Sequence, residues 1–592
     1  MRSQFLLILY FVLCSYPAFS QAEKSFEIRG VLPWHNFLSG PSAWNEKDYE
    51  VYLDDCAEQG INFIGFHNYT GGGERYATYV EPMIRISYKN IVPEAYFDNS
   101  MTARWGYLPL SVDKFAYGTA EKFQLPQGAV AYGSDCSVLS DNKEDHYVRS
   151  QELMRKVQQM AKARGIKMAM GFEFGVLPPE YFSLNGFFWL GEANMVPDPT
   201  RETAIELHYT AIDNILETYQ GIEYIWLWLN EHSFMGVDAA KATSDGSFAG
   251  YYKANSSLFE EAQDDKSKFI GVWALKYIQL TQDYLNKKAP NVKIILGGWG
   301  GGNQLPTLMK GLDRGLSADI IFSCLNPGLG SGEQVNFLAD IAKNRKVWAI
   351  PWLEGDHQLW HLQPRVSTMK AHVQKAAEQN LNGVLAIHWR TEEVKLNKKT
   401  FGLFAKDPQS SLTVRDIYTE YIKTEYGEAG LGILDDLIRW DTEQLNGSVS
   451  SPEYFVFTTH WGILQGQALE IRSAITKKIP GILDKTQNSR HKENLEWLKN
   501  TIDFEILLHQ VTEAMQPAAQ LKKDFFEKKK YPSSQEIKNA QGKLTSAPTE
   551  QLFKTYAQKA RSRGELGILS SLNQRLWTTY LDLMNFMNDF QN

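Results

Sequence analysis

The sequence predicts an α/β protein: a closed (β/α)8 TIM barrel followed by an all-α C-terminal domain. Eight short, apolar, β-rich runs alternate with helical patterns, which is typical of parallel strands joined by helical crossovers. Beyond about residue 410 only helical periodicity remains. An open nucleotide-binding sheet would carry a glycine-rich loop after its first strand. Here that strand ends at Pro33-Trp34-His35-Asn36 instead, so eight repeats favour a closed barrel.

The predicted strands are apolar runs that each end in a polar or glycine-rich loop. They cover residues 26–32, 62–68, 168–175, 224–231, 293–300, 319–325, 347–354 and 383–390. Helical patterns at 46–58, 145–164, 268–287 and 368–379 lie between them. In the first of these, Tyr49, Tyr52, Leu53 and Cys56 share one face, and Gly60 ends the helix.

The connections of the predicted barrel, residues 21–409, are uneven in length. A segment of about 90 residues, 70–160, separates the second strand from the third and is dense in aromatic residues and prolines. Loops of this length are usually functional or form a small subdomain. We expect this insertion over the carboxyl-terminal face of the barrel. A shorter one, 232–267, follows the fourth strand.

Residues 410–592 are predicted to form the helical domain. Phe504, Leu508, Val511 and Met515 recur at spacings of four, three and four, which makes an amphipathic stripe. Similar stripes occur near 414–425, 430–443, 453–475 and 566–590. The lysine-rich segment 522–530 is interpreted as a solvated helix end rather than a binding patch.

The first twenty residues are typical of a secretion signal. Arg2 is the positive start, 5–13 is the apolar stretch, and Ala18-Phe19-Ser20 suits cleavage. The stretch is too short to span a membrane, so a periplasmic or extracellular location is expected. Lipidation at Cys14 is the less favoured alternative, because the preceding Leu13 is large.

Composition narrows the possible partners. A net charge of −8 argues against nucleic acid, which selects basic surfaces. The chain has 16 Trp, 28 Tyr and 31 Phe, and aromatic rings either stack on sugars or fill a large core. Cys56, Cys136 and Cys324 are far apart and form no CxxC pair, so neither a disulfide framework nor a zinc site is expected. No metal or serine-hydrolase motif occurs, and no cofactor is expected.

Barrel enzymes hold their catalytic groups at the carboxyl ends of the strands. The candidates there, in chain order, are Trp34, His35 and Asn36; His67, Asn68 and Tyr69; Glu173; Asn230, Glu231 and His232; Trp299; Asn326; Trp352, Glu354, Asp356 and His357; and His388, Trp389, Arg390, Glu392 and Glu393. Polar and aromatic groups that converge on one rim favour a carbohydrate site.

Glycoside cleavage requires two carboxyl groups that flank the scissile bond. Glu231 and Glu354, on the fourth and seventh strands, would approach the barrel axis from opposing sides. With Asn230-Glu231, Glu354 and Trp389 at these strand ends, the chain resembles the clan of retaining glycoside hydrolases with (β/α)8 barrels. The resemblance implies that Glu231 is the acid/base and Glu354 the nucleophile. It also implies that Asn230 binds the hydroxyl next to the anomeric carbon and that Trp389 lies under the sugar.

Several alternatives stay open. Glu173, in GFEFG, is a rival carboxylate, either a substrate contact or an ion-pair partner. Arg390 would suit a carboxylated or sulfated sugar. A weaker resemblance is to the microbial α-glucuronidases, which invert, although their usual N-terminal α/β domain is missing. A non-catalytic glycan-binding barrel and a polysaccharide lyase are the other candidates.

Overall fold

The structure is a computed structural model. It describes residues 25–35, 37–68, 83–93, 110–184, 188–190, 195–229, 237–244, 246–262, 264–298, 305–325, 335–444, 449–450 and 462–590. The predicted signal peptide, residues 1–20, lies outside this range. Within the range, no helix has both the length and the apolar character needed to cross a bilayer.

Eight parallel strands close into a barrel in chain order, which confirms the predicted architecture. They are β1 Ile28–Pro33, β2 Phe63–Phe66, β3 Lys167–Glu173, β4 Tyr224–Leu229, β5 Lys293–Gly298, β6 Ile321–Leu325, β7 Val347–Ile350 and β8 Gly383–His388. The barrel closes through pairing of β1 with β8, in which Ile28 is opposite Gly383 and Pro33 is opposite His388. β1 ends one residue later than predicted, at Pro33, and the other seven strands end at or before the predicted residue.

Three short helices, Asp135–Val138, Ala239–Ser244 and Gly246–Asn255, lie within the longer connections. Eight main helices follow the eight strands, and the last of them packs on the finished barrel. They are α1 Glu46–Glu58, α2 Lys143–Ala163, α3 Glu202–Thr218, α4 Asp265–Lys288, α5 Leu305–Gly315, α6 Val335–Ile341, α7 Val366–Glu378 and α8 Lys395–Lys406. The predicted face of α1 is buried, including Tyr49, Tyr52 and Leu53. Cys56, Cys136 and Cys324 are buried, and none of the three forms a disulfide bond within the described residues.

Large aromatic side chains fill the barrel interior. At one level Phe63 meets Tyr224 and Trp348 with ring centroids 5.5 and 5.2 Å apart. At the next level the indole of Trp226 donates to Ser323 Oγ at 3.0 Å. A Cβ atom at Gly65 would overlap the Trp226 ring, so β2 must be narrow at this point. The barrel is therefore a packed core, and any site belongs at its mouth.

A helical region follows the barrel. Its helices are α9 Val414–Tyr426, α10 Leu434–Gln444, α11 Ala468–Leu483, α12 Ser489–Lys528, α13 Ser534–Thr545, α14 Thr549–Lys559, α15 Arg563–Leu572 and α16 Thr578–Asp589. The predicted stripe of α12, from Phe504 to Met515, is fully buried. One departure from the all-helical prediction is a short antiparallel pair, Val449–Ser450 with Ile463–Leu464.

The described part of the insertion after β2 packs against the helical region. The backbone N–H of Ala116 donates to Asn573 Oδ1 at 2.8 Å, and the Tyr132 hydroxyl donates to the carbonyl of Arg563 at 2.8 Å. The lysine-rich segment contains the exposed end of α12, where Lys529 adopts a left-handed conformation. This agrees with its interpretation as a helix end.

Candidate active site

Five rings gather at the carboxyl ends of the barrel strands, and we call them the aromatic cluster: Trp34, His67, Trp228, Trp352 and Trp389. Trp34 stacks on His67 with ring centroids 4.2 Å apart and meets Trp228 edge-on at 5.7 Å. Trp389 lies 6.3 Å from Trp34 and 5.4 Å from Trp352. The cluster thus joins strands β1, β2, β4, β7 and β8 across the mouth.

Strand periodicity explains which residues enter this cluster. Successive side chains of a strand point to opposite faces, so Tyr224, Trp226 and Trp228 of β4 all point inward. Trp228 was not among the predicted site residues, although this alternation in YIWLWL could have identified it. Its indole N–H is buried and has no hydrogen-bond partner in the described part of the chain.

Glu173 ends β3 beside the aromatic cluster. Its Oε1 lies 3.5 Å from His67 Nε2, and both side chains are almost fully enclosed. Burial holds the pKa of His67 well below its usual range, because a low-dielectric surrounding disfavours the charged imidazolium. His67 is therefore a neutral partner that adds no positive charge next to the carboxylate.

Asn68 follows His67 and also faces β3. Its amide nitrogen donates to the carbonyl of Gly171 at 3.1 Å. Its Oδ1 is buried without a hydrogen-bond partner among the described residues, as is the indole N–H of Trp389. Buried polar atoms are nearly always paired, so these atoms are available to a bound ligand or water.

Glu354 is held in a closed, fully bonded environment. Its Oε1 accepts the backbone N–H groups of Trp389 at 2.8 Å and Arg390 at 2.6 Å. Its Oε2 pairs with Arg390 Nε at 2.7 Å, and the side chain has no exposed surface. The other guanidinium nitrogens of Arg390 donate to the carbonyls of Leu359 and His361 at 2.7 and 2.8 Å.

These contacts bear on two predictions, the roles of Glu354 and Arg390. A nucleophile needs an oxygen free to reach the anomeric carbon, but both oxygens of Glu354 are engaged and its charge is neutralised by Arg390. We therefore do not retain Glu354 as the nucleophile. The guanidinium of Arg390 is likewise engaged within the protein, with Glu354 and with two backbone carbonyls, and its role as a substrate contact stays a prediction. Arg390 was the residue that suggested an acidic sugar, so the site gives that expectation no further support.

His35 and His388 point away from the mouth, towards α1. His35 Nε2 lies 3.1 Å from the Tyr49 hydroxyl, and His388 Nε2 lies 2.6 Å from that of Tyr52. Burial lowers the pKa of His388 to about 3. Alternation along the chain explains this placement, since the neighbouring Trp34 and Trp389 take the inward positions. Neither ring belongs to the aromatic cluster, and their role as substrate contacts stays a prediction.

Other predicted residues have different outcomes. Glu392 and Glu393 bind cations of the helical region, Arg561 at 3.2 Å and Lys559 at 3.3 Å. Seven of the predicted candidates lie outside the described residues: Asn36, Tyr69, Asn230, Glu231, His232, Trp299 and Asn326. Within the described ranges, no group of three or more His, Cys, Asp or Glu side chains is arranged to hold a metal ion.

Comparison with protein-family models and with curated proteins gave no match. Solved structures similar to this chain include glycoside hydrolases. An O-GlcNAc hydrolase mutant from Thermobaculum terrenum is 12% identical, with 94% of each chain covered and a TM-score of 0.42. A GH138 enzyme targeting pectin rhamnogalacturonan II is 9% identical, with 96% of this chain and 85% of that chain covered and a TM-score of 0.45.

A GH115 4-O-methyl-α-glucuronidase with specificity for decorated arabinogalactans is 11% identical, with 92% of this chain and 62% of that chain covered and a TM-score of 0.46. At these scores the matches carry no argument about activity. The assignment of the fold rests on the strand pairing of this chain itself.

Proposed function

We propose that this protein is a glycoside hydrolase that binds its sugar at the mouth of the barrel. The observation that carries the proposal is the aromatic cluster around the buried Glu173–His67 pair. Flat apolar sugar faces stack on indole rings, and buried polar atoms such as Asn68 Oδ1 can bind sugar hydroxyls. Following the signal-like N-terminus, we propose that the enzyme acts in the periplasm or outside the cell.

We infer that Glu231 and Glu173 form the carboxyl pair, with Glu231 as the general acid. Glu173 is paired in register with Trp228 of β4, and Glu231 comes three residues after Trp228 in the sequence. Neighbouring strands lie about 4.8 Å apart, so Glu173 lies next to the strand that precedes Glu231 in the sequence. Glu173 has a neutral neighbour in His67, whereas Glu354 is neutralised by Arg390.

In this mechanism Glu231 protonates the oxygen of the leaving group, which makes it a better leaving group. Glu173 supplies the negative charge, either by attacking the anomeric carbon or by deprotonating a water that attacks it. A separation of about 5–5.5 Å between the carboxyl groups gives retention, and about 6.5–9.5 Å gives inversion. The anomer formed first therefore reports which step Glu173 performs.

The test is a hydrolysis screen against plant and algal oligosaccharides, with the product anomer followed by NMR. With a substrate in hand, Glu231→Gln and Glu173→Gln are each expected to lower kcat by about 10²–10⁴-fold. Glu223→Gln is the matched control, because Glu223 lies just before the opposite end of β4 and pairs with Lys167. Wild-type turnover in either mouth variant would remove that residue from the mechanism.

A non-catalytic glycan-binding barrel is the second candidate function. The enclosure of Glu354 favours it, because one of the two carboxylates predicted to react is engaged in an ion pair. Such a protein would bind sugars saturably, which the fluorescence of the aromatic cluster would report. Binding without any product over days would support this candidate and contradict the hydrolase.

A further inference from the structure

The helical region contacts two loops that end at the mouth, the β1 loop (residues 37–44) and the β7 loop (residues 355–365). We propose that it is an integral part of the active site and holds Trp389 in position through both loops. Gly567, Arg563 and Glu505 are the positioning residues in this arrangement. Its effect on turnover rests on the proposed function, but the mechanical coupling does not.

The β1 loop has a strained backbone. Phe37 and Leu38 are consecutive non-glycine residues with φ angles of 65° and 58°, and both are buried. Such a conformation is unfavourable for a residue with a side chain and persists only when its surroundings enforce it. Residues of this kind occur where a loop must keep one particular shape, here directly after Trp34 and His35.

Helix α15 provides that enforcement. A Cβ atom at Gly567 would overlap the carbonyl oxygen of Leu38, and one at Gly564 would lie 2.6 Å from the carbonyl oxygen of Ser39. Arg563 Nε donates to the carbonyl of Ala43 at 2.7 Å. The helix backbone thus lies directly on the loop, at a distance that glycine permits.

The opposite side of the β1 loop contacts Trp389. A Cβ atom at Gly40 would overlap the carbonyl oxygen of Trp389. The loop is therefore enclosed between α15 and the backbone of the residue that follows β8. A shift of α15 away from the barrel would leave this part of Trp389 unsupported.

The second contact reaches Trp389 through the β7 loop. The backbone N–H of Leu362 donates to Glu505 Oε1 at 2.6 Å, and Arg472 of α11 pairs with the other oxygen of Glu505. Arg390 donates hydrogen bonds to the carbonyls of Leu359 and His361 in the same loop, and its Nε pairs with Glu354. Glu354 in turn accepts the backbone N–H of Trp389.

Both contacts therefore converge on one residue at the mouth. Trp389 is supported through Gly40 on one side and through Glu354 and Arg390 on the other. Gly40, Glu354, Trp389 and Arg390 are buried, so water does not readily replace the contacts among them. The helical region fixes the ring under the proposed sugar without touching the substrate.

Hydrogen exchange of the β1 loop tests the coupling without any substrate. Gly567→Ala and Arg563→Met are expected to raise amide exchange in residues 37–44 at least tenfold. Gly542→Ala and Arg415→Met are matched controls. Gly542 of α13 has open space around its Cα, and Arg415 pairs with Asp435 inside the helical region. Arg563→Met keeps the aliphatic stem and serves if Gly567→Ala does not fold.

Unchanged exchange in residues 37–44 in both test variants, with faster exchange in α15 itself, would overturn the proposal. If hydrolysis is found, the same variants are expected to lower kcat about tenfold with little change in KM, since they misplace the ring rather than remove it. Faster exchange without any hydrolysis would uphold the coupling and contradict only the proposed function.

Discussion

Glu173 and Glu354 are both buried carboxylates at strand ends, yet their surroundings assign them different roles. Glu354 has a cationic partner and two backbone donors, so its charge is satisfied within the protein. Glu173 lies beside a neutral imidazole and the aromatic cluster. A charge that an ion pair with Arg390 already neutralises contributes to structure, and the neutral His67 adds no such compensation to Glu173.

Replacing Glu354 by Gln is expected to destabilise the protein by about 3–5 kcal/mol, because it leaves the Arg390 guanidinium buried without its counter-charge. Chemical denaturation measures this change. Glu173→Gln is the control and should cost less than half as much. A stable Glu354→Gln variant that has lost all turnover would instead restore Glu354 as the nucleophile.

At the scale of the element, β4 carries the largest side chains of the barrel interior. Tyr224, Trp226 and Trp228 occupy successive inward positions, so the facing strands must provide space. Gly65 of β2 does this next to Trp226. The missing side chain at Gly65 of β2 thus makes room for the Trp226 ring of β4.

Gly65→Ala should therefore destabilise the barrel by about 1–3 kcal/mol, because an added methyl group must displace the Trp226 ring. Gly250→Ala adds the same methyl group to a helix where nothing lies within 4 Å, and it should stabilise by up to about 1 kcal/mol. Thermal or urea unfolding of the two variants makes the comparison. Equal stability of both would contradict the packing argument.

For the whole molecule, buried histidines make stability depend on pH. Burial lowers the pKa of His208 and His388 to about 3 and that of His372 to about 4. The pKa values of His67 and His361 also lie well below their usual range, chiefly through burial. All five stay neutral when folded, while an unfolded histidine binds a proton below about pH 6.5.

The unfolded chain therefore binds more protons than the folded one, and stability falls as the pH drops from about 6.5 towards 4. Each of these histidines contributes about 1.4 kcal/mol per pH unit in that window. His208→Phe should reduce the slope of the unfolding free energy against pH by this amount between pH 6 and 5. An unchanged slope would mean that His208 is protonated in the folded protein.

The architecture followed from the sequence because it depends on local patterns. Alternating apolar runs and amphipathic stripes predicted all eight strands, and α1 was predicted at its observed bounds. The same reasoning placed Trp34, His67 and Trp389 at the mouth. Period-two alternation would also have identified Trp228, which was missed because only the last three residues of each predicted run, and those that follow it, were considered.

The sequence by itself determined which residues lie at the strand ends, since periodicity and strand order are written along the chain. It could not decide what those residues bind. Only the tertiary structure pairs Glu354 with Arg390, turns His35 and His388 towards α1, and places α15 on the β1 loop. These are contacts between residues tens to hundreds of positions apart, and burial and charge compensation exist only once those residues meet.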